Sequence, residues 1–435
     1  MINRRDFLKT AGLGAAAIAV DPFGAFDASA KIRKESKGAG RKINLALVGI
    51  GHRGNENARE VAKTGMANVV AICDVNMGAP HTREVMGMFP EAKQFKDFRK
   101  MFDEMGSAFE AVLVSTPDFS HFPIAMRAIK EGKHVYCEKP MTRTIGEGQK
   151  VVEAVHKYGR IFRLDTWFRF KDTFYGLGTT VEPLKKLVQS GLLGWPLTVR
   201  ISGATGFTWK FFWTGKENLV PQPVPAELDY DMWLGPAPYK PYNPHRVHQT
   251  FRGYWDYESG GLGDMGQHYI DPVQYILGKD DTFPVKVEVD APQQHPDAVG
   301  IWRSITYTYA DGCKIILEGE GFESKGKVPY IEGPNGKVYK GFECTIPNVM
   351  DVINSLPDPE PRNTDFLECV RTRQKFALAE DNGHHSCTIV NMGACALRLG
   401  RTLNFDPDKQ LFIGDDAANQ LINQPMRAPW GSMIL

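Results

Sequence analysis

The sequence predicts an α/β protein of two domains, and three observations lead there. Its 435 residues exceed what one small core organises, at roughly 150 to 200 residues per domain. A short apolar run, Ile43 to Val48, feeds directly into a glycine-rich turn and a helically spaced segment. Strand-length apolar runs then alternate with helical spacing, the order that builds a parallel sheet covered by helices. With 42% hydrophobic and 24% charged residues the chain has material for large cores, and disordered, collagenous and coiled-coil classes are excluded. Lys and Arg number 52 against 51 Asp and Glu, so the net charge of +1 lacks the basic excess that a nucleic-acid partner requires. Seven scattered cysteines with no C-x-x-C pair point neither to a disulfide framework nor to a zinc site.

The first 30 residues read as an address. Asn3-Arg4-Arg5-Asp6-Phe7-Leu8-Lys9 precedes the apolar run Ala11 to Val20, and Ala28-Ser29-Ala30 fits a small-x-small cleavage pattern. This predicts a twin-arginine signal over residues 1–30, with the export machinery as a partner and the periplasm as destination. The run is too short to cross a bilayer at ~20 residues, and no later segment reaches the ~18 apolar residues of a membrane span. Residues 31–40, rich in Lys, Gly and Ser, read as a flexible linker.

Ile43 to Val48 leads into Gly49-Ile50-Gly51-His52-Arg53-Gly54, a G-x-G-x-x-G turn, and Asn55 to Lys63 follows with helical spacing. The next strand, Ala67 to Cys73, ends at Asp74. In such a turn the glycines let backbone approach a pyrophosphate at a helix N-terminus, and an acidic side chain ~20 residues on holds ribose hydroxyls. Residues 41–165 are therefore read as a Rossmann domain. Asp74 would repel a 2′-phosphate and no Arg follows in Val75-Asn76-Met77, which favours NAD over NADP. Phe98 to Met105 reads as helix, Ala111 to Val114 as a strand ending in Ser115-Thr116-Pro117, and Phe122 to Glu131 as helix with His121 near the cofactor. The strand Gly132 to Cys137 terminates in Glu138-Lys139-Pro140, at the sheet edge where ligands sit.

These motifs, in this order and spacing, together with Gly260-Gly261-Leu262-Gly263-Asp264-Met265-Gly266-Gln267-His268, resemble the Gfo/Idh/MocA oxidoreductase family, in its exported bacterial subgroup. The resemblance implies a C-terminal α/β domain with an open, mostly antiparallel sheet over residues 166–435, and a homodimer or homotetramer. It implies that Lys139 is the catalytic lysine, that the Lys139–Pro140 bond is cis, and that His268 is a general base while Lys139 and Asp264 position and polarise a hydroxyl. The cofactor set it implies comprises Gly49, Gly51, His52, Arg53, Gly54, Asp74, Thr116, Pro117, His121, Glu138 and Lys139. Independently of the resemblance, Asp264 and His268 are four residues apart and share one face if they lie on a helix.

Other features bear on the substrate. Arg163, Asp165, Trp167 and Arg169 alternate as in a strand, so Arg163 and Trp167 are candidates to face a substrate. His385, placed before a helix Ser386 to Leu399, is a third candidate, and Asn382-Gly383-His384-His385 lacks the ligands of a metal site. Aromatic residues interleave with polar ones in Thr208 to Trp213, Leu228 to Pro236 and Arg252 to Tyr257, a pattern that stacks on sugars or fills a core. A nicotinamide enzyme exported beyond the cytoplasmic NAD pool must keep its cofactor tightly bound. That leaves three readings: a sugar oxidoreductase, a redox-neutral glycosidase working by transient oxidation, elimination, hydration and re-reduction, or a cofactor-binding protein without turnover. The trio Lys139, Asp264 and His268 argues against the last, because binding alone needs no such group.

Overall fold

The apolar runs become a parallel sheet. In the computed structural model, which describes residues 40–170, 180–321 and 327–431, the strands are β1 (Ile43–Val48), β2 (Ala67–Cys73), β3 (Lys93–Phe95), β4 (Ala111–Val114), β5 (His134–Glu138) and β6 (Phe162–Asp165). They lie in the order β3-β2-β1-β4-β5-β6, every neighbouring pair parallel, as in a doubly wound nucleotide fold. β4 and β5 are buried at every position because helices cover both sheet faces. Those helices are α1 (Arg53–Thr64), α2 (Pro80–Met88), α3 (Phe98–Met105), α4 (His121–Lys130) and α5 (Ile145–Tyr158). The proposed signal at 1–30 and residues 31–39 of the linker lie outside the described residues, as does the side chain of Trp167.

The second sheet is mixed. β7 (Thr198–Ile201), β8 (Lys286–Asp290), β9 (Ser304–Thr308), β10 (Lys314–Glu318), β11 (Ile331–Gly333), β12 (Gly336–Val338), β13 (Leu403–Asp406) and β14 (Leu411–Phe412) order as β12-β11-β7-β10-β9-β8-β13-β14. Only β7 and β10 pair in parallel, and the other ladders are antiparallel. The helices of this half are α6 (Val181–Gln189), α7 (Tyr230–Leu234), α8 (Pro244–Val247), α9 (Gly260–Leu277), α10 (Val349–Ser355), α11 (Phe366–Thr372), α12 (Glu380–Leu399) and α13 (Asp416–Ile422). α9 is buried along all 18 residues, and its glycines let neighbours approach: a Cβ on Gly266 would lie 3.0 Å from Val390 of α12. No helix among the described residues is long and apolar enough to cross a membrane.

Two expectations change here, and an alternative left open narrows. The strand read through Arg169 stops at Asp165, and Trp167–Phe170 is a 3-10 turn, because Arg169 is drawn inward onto Asp271 and Asp280. The helix read from Ser386 starts at Glu380, since the Asn382 side chain accepts from the Ala379 N–H at 2.8 Å and caps it there. The aromatic blocks are mostly core rather than sugar platforms. Trp209 donates to the Glu318 carbonyl and packs edge-on to Trp302, while Trp233, Tyr254, Tyr257, Phe119 and Phe251 form a separate buried cluster.

Candidate active site

The glycine turn between β1 and α1 is shaped for close approach. Gly49 has φ +78°, and a Cβ there would lie 2.7 Å from the Ser115 carbonyl; a Cβ on Gly54 would lie 2.0 Å from the Gly49 oxygen. At Gly51 a Cβ would meet none of the described atoms within 4 Å, so the backbone there faces open space at the start of α1. Asp74 fastens the turn, its carboxylate accepting from the N–H groups of Ile50 at 2.9 Å and Asn76 at 2.8 Å. Burial pushes the Asp74 carboxyl up, and those N–H groups oppose it. Asn76 Oδ1 and Thr116 Oγ1, at the ends of β2 and β4, are buried without a hydrogen-bond partner among the described residues. Open room at a helix start and buried side-chain oxygens without a partner among the described residues fit a dinucleotide.

Within this motif His52 adopts φ +39° and its ring lies 4.3 Å from that of His81. Arg53 turns inward, donating to Glu138 Oε1 at 2.7 Å and to Asp165 Oδ2 at 2.8 Å. Burial, then Asp165, pushes the Glu138 carboxyl up to about 8; Asp165, although buried, is held below the usual carboxylate range by Arg163 and Arg53. His121, expected near the cofactor, is buried, its ring nitrogens 2.8 Å from the carbonyl oxygens of Thr116 and Pro140. It thereby ties the Thr116-Pro117 strand end to the loop after β5.

That loop carries Lys139, joined to Pro140 by a cis peptide. Lys139 Nζ donates to Asp264 Oδ1 at 3.0 Å and to the Asp264 carbonyl at 2.5 Å. Two further cations reach the same carboxylate: Arg252 Nε at 3.0 Å from Oδ1 and Lys210 Nζ at 2.7 Å from Oδ2. Burial alone would raise the Asp264 pKa, yet Lys139, Arg252 and Lys210 hold it well below the usual range. Asp264 and His268 both lie on α9, one turn apart, and so share a face. His268 Nδ1 is 2.8 Å from Thr166 Oγ1, and its ring stacks on Phe168 at 4.2 Å. Burial, then Lys139, pushes its pKa well down, so the imidazole is neutral and able to accept a proton. A buried ammonium, a fixed carboxylate and a neutral imidazole from two domains therefore converge at the carboxyl end of the Rossmann sheet.

Two of the substrate candidates, Arg163 and His385, have other partners. Arg163 donates to Asp165 at 2.7 Å and lies 3.9 Å from the Tyr136 ring, so its charge is spent inside the Rossmann domain. His385 bonds to the Asp381 carbonyl at 2.6 Å and stacks on Phe283, because the earlier start of α12 turns it toward that ring. His384 is buried against Gln410. Among the described residues the one group with metal-like spacing is His156, Glu380 and Asp381, and the Lys375 ammonium lies across both of its carboxylates. Sequence reasoning missed Lys210, Arg252 and Thr166. Lys210 and Arg252 are the cations embedded in the aromatic blocks, which were read for their rings and not for their charges.

The chain matches the description "Oxidoreductase family, NAD-binding Rossmann fold" over residues 43–166 and "Oxidoreductase family, C-terminal alpha/beta domain" over residues 177–432. Residues 1–20 match a twin-arginine translocation pathway signal sequence. The inositol 2-dehydrogenase of Salmonella typhimurium is 30% identical over 159 residues, which cover 36% of this chain and 44% of that protein. A "Glycosyl hydrolase family 109 protein" of Shewanella pealeana is 24% identical over 255 residues, covering 50% of this chain and 52% of that protein. The chain thus spans about half the length of these curated relatives. Among solved structures, the WlbA dehydrogenase of Bordetella pertussis, in complex with NADH and UDP-GlcNAcA, superposes with a TM-score of 0.58 at 18% identity, covering 84% of this chain and 98% of that one, a likeness of fold.

Proposed function

The chain belongs to the Gfo/Idh/MocA oxidoreductase family, and from that premise we propose that it oxidises or reduces a sugar or glycoside at a hydroxyl-bearing carbon, with NAD held tightly. The observation that carries this reading is the meeting of Lys139, Asp264 and neutral His268. Gly49, Gly51 and Gly54 would admit the pyrophosphate at the start of α1, and Asp74 would take the ribose hydroxyls and favour NAD over NADP. When bound, the nicotinamide accepts or returns a hydride. The chain supplies the rest: Lys139, fixed by Asp264, polarises the substrate oxygen and stabilises alkoxide character, and His268, oriented by Thr166, takes the hydroxyl proton. Lys210 and Arg252 keep Asp264 ionised and present cations toward further substrate hydroxyls. The boundary between domains is placed at Asp165, ahead of the Thr166 hydroxyl that orients His268.

Export bears on the cofactor. Twin-arginine transport delivers folded protein to the periplasm, where no NAD pool replaces lost coenzyme, so retention across cycles is required; a homodimer or homotetramer is the proposed assembly. Likeness to the Shewanella glycosyl hydrolase favours a second reading, redox-neutral glycoside cleavage at the same residues. The test is to purify the protein without added coenzyme, release and quantify its nucleotide, and mix free sugars and glycosides with the holoprotein. Close to one NAD per chain and a lasting rise in reduced-nicotinamide absorbance are expected. Aglycone release without a lasting rise selects the glycosidase, and a protein without nucleotide that ignores added NAD and NADP refutes both.

A further inference from the structure

Behind Lys139 lies a second acid group that the proposed chemistry does not use. Glu258, just before α9, is 4% exposed, and neither carboxyl oxygen has a hydrogen-bond partner among the described residues. Its nearest cation is Arg252, whose Nε approaches Oε2 at 3.3 Å while bonding to Asp264. Asp118, in the 3-10 turn after β4, is also 4% exposed and has an orphaned Oδ2. Room for Glu258 is built in: a Cβ on Gly263 would lie 2.6 Å from its Cγ and 3.0 Å from its Oε1. Burial and the neighbouring Asp118 push the Glu258 pKa well up, and burial likewise raises Asp118 against the pull of His121. Each of these buried carboxyls is therefore suited to hold a proton.

Both carboxyls line one pocket. Pro140, Arg143 and Asn391 line it too, together with the half-buried Arg398 and Gln424. Its size admits about three water molecules. Buried carboxyl oxygens that line a small pocket without a hydrogen-bond partner among the described residues are sites for ordered water. Lys139 lies within electrostatic reach of both acids.

We propose that Glu258 and Asp118 form a proton outlet behind Lys139, discharging to solvent through the waters of this pocket. The inference rests on the oxidoreductase reading above. Oxidising a CH–OH group to C=O sends a hydride to the nicotinamide and leaves one proton on His268. Pocket water bridging Lys139 and the acid pair carries a proton from the ammonium to the pair, Lys139 is reprotonated from His268, and the pair releases its proton to the outer pocket water. The front of the site, covered by substrate and cofactor, then need not open for proton balance.

Two measurements on the holoprotein test this. The first is an infrared difference spectrum, with no substrate present, between the parent and Glu258→Gln, repeated with Asp118→Asn. A protonated-carboxyl band that is lost in the variants and shifts promptly on transfer to D2O is expected; absence of the band, or a band that does not exchange, overturns the outlet. The second follows proton release with an indicator dye during the first turnover. Protons should appear together with reduced nicotinamide in the parent and lag it about tenfold in Glu258→Gln. Coincident release in that variant overturns the outlet. If no sugar reduces the bound nicotinamide, the oxidoreductase reading falls, and the infrared result still decides whether the acid pair exchanges protons with solvent.

Discussion

Two aspartates on α9, seven residues apart, meet cations in opposite ways. Asp271 is fully buried and bidentate with Arg169, which bonds it at 2.8 and 2.7 Å and takes Asp280 at 2.7 Å with its remaining donors. Fork and carboxylates satisfy one another, nothing is left to bind, and the group joins a 3-10 turn to the helix. Asp264 instead gathers three cations from three segments, Lys139, Lys210 and Arg252, beside buried carboxyl oxygens without hydrogen-bond partners among the described residues. The difference teaches that burial and charge alone do not mark a reactive site. Surplus charge and unmet hydrogen-bonding capacity do.

This contrast can be broken by substitution. Arg169→Met leaves the buried Asp271 carboxylate unpaired and should lower stability by about 3–5 kcal/mol in urea denaturation, with little change in turnover per folded molecule. An unchanged unfolding midpoint would remove the structural half of the comparison. His384 offers a second structural case, since burial lowers its pKa to about 4. The unfolded chain, with an ordinary value near 6.5, binds this proton first, so stability is full above pH ~6.5 and falls as pH drops toward 4, by about 3 kcal/mol in all. His384→Gln should flatten that part of the pH–stability curve, and an equally steep curve would contradict the assignment.

On the reactive side the effects should appear in rate. His268 is held neutral by burial and Lys139, so the acid limb of the pH–rate profile is expected below ~6.5. His268→Asn should cost about 100-fold in turnover and abolish that limb; a variant that keeps the limb would show another group to be the base. Lys210 is 38% exposed and one of three cations on Asp264. Lys210→Met should therefore change kcat/KM by no more than about fivefold. A larger loss would mean that Lys210 holds the substrate directly.

Much of this was legible in the sequence. Spacing alone placed β1, the glycine turn, α1 and Asp74, because a 3.6-residue period and strand-length apolar runs are local signals. Asp264 and His268 could be set on one helix face for the same reason. What stayed hidden depends on partners far along the chain. Arg163 alternates like a substrate-facing residue, yet Tyr136 and Asp165 claim it; His385 precedes a plausible helix start, but Asn382 caps the helix earlier. Lys210 and Arg252 sit in irregular, aromatic-rich segments with no period to read, and only the closure of those segments over α9 brings them to Asp264. Glu258 was invisible because its significance lies in carboxyl oxygens that find no hydrogen-bond partner among the described residues.

The account turns on Lys139, and a single-turnover experiment addresses it most directly. Parent protein and Lys139→Met, each purified with its bound nucleotide quantified, are mixed with a reactive sugar while reduced-nicotinamide absorbance is followed. The account predicts equal nucleotide content, unfolding midpoints within about 1 kcal/mol because Lys210 and Arg252 still pair Asp264, and a rate about 10²- to 10⁴-fold slower in the variant. Equal rates in the two proteins, at equal nucleotide content, would contradict it.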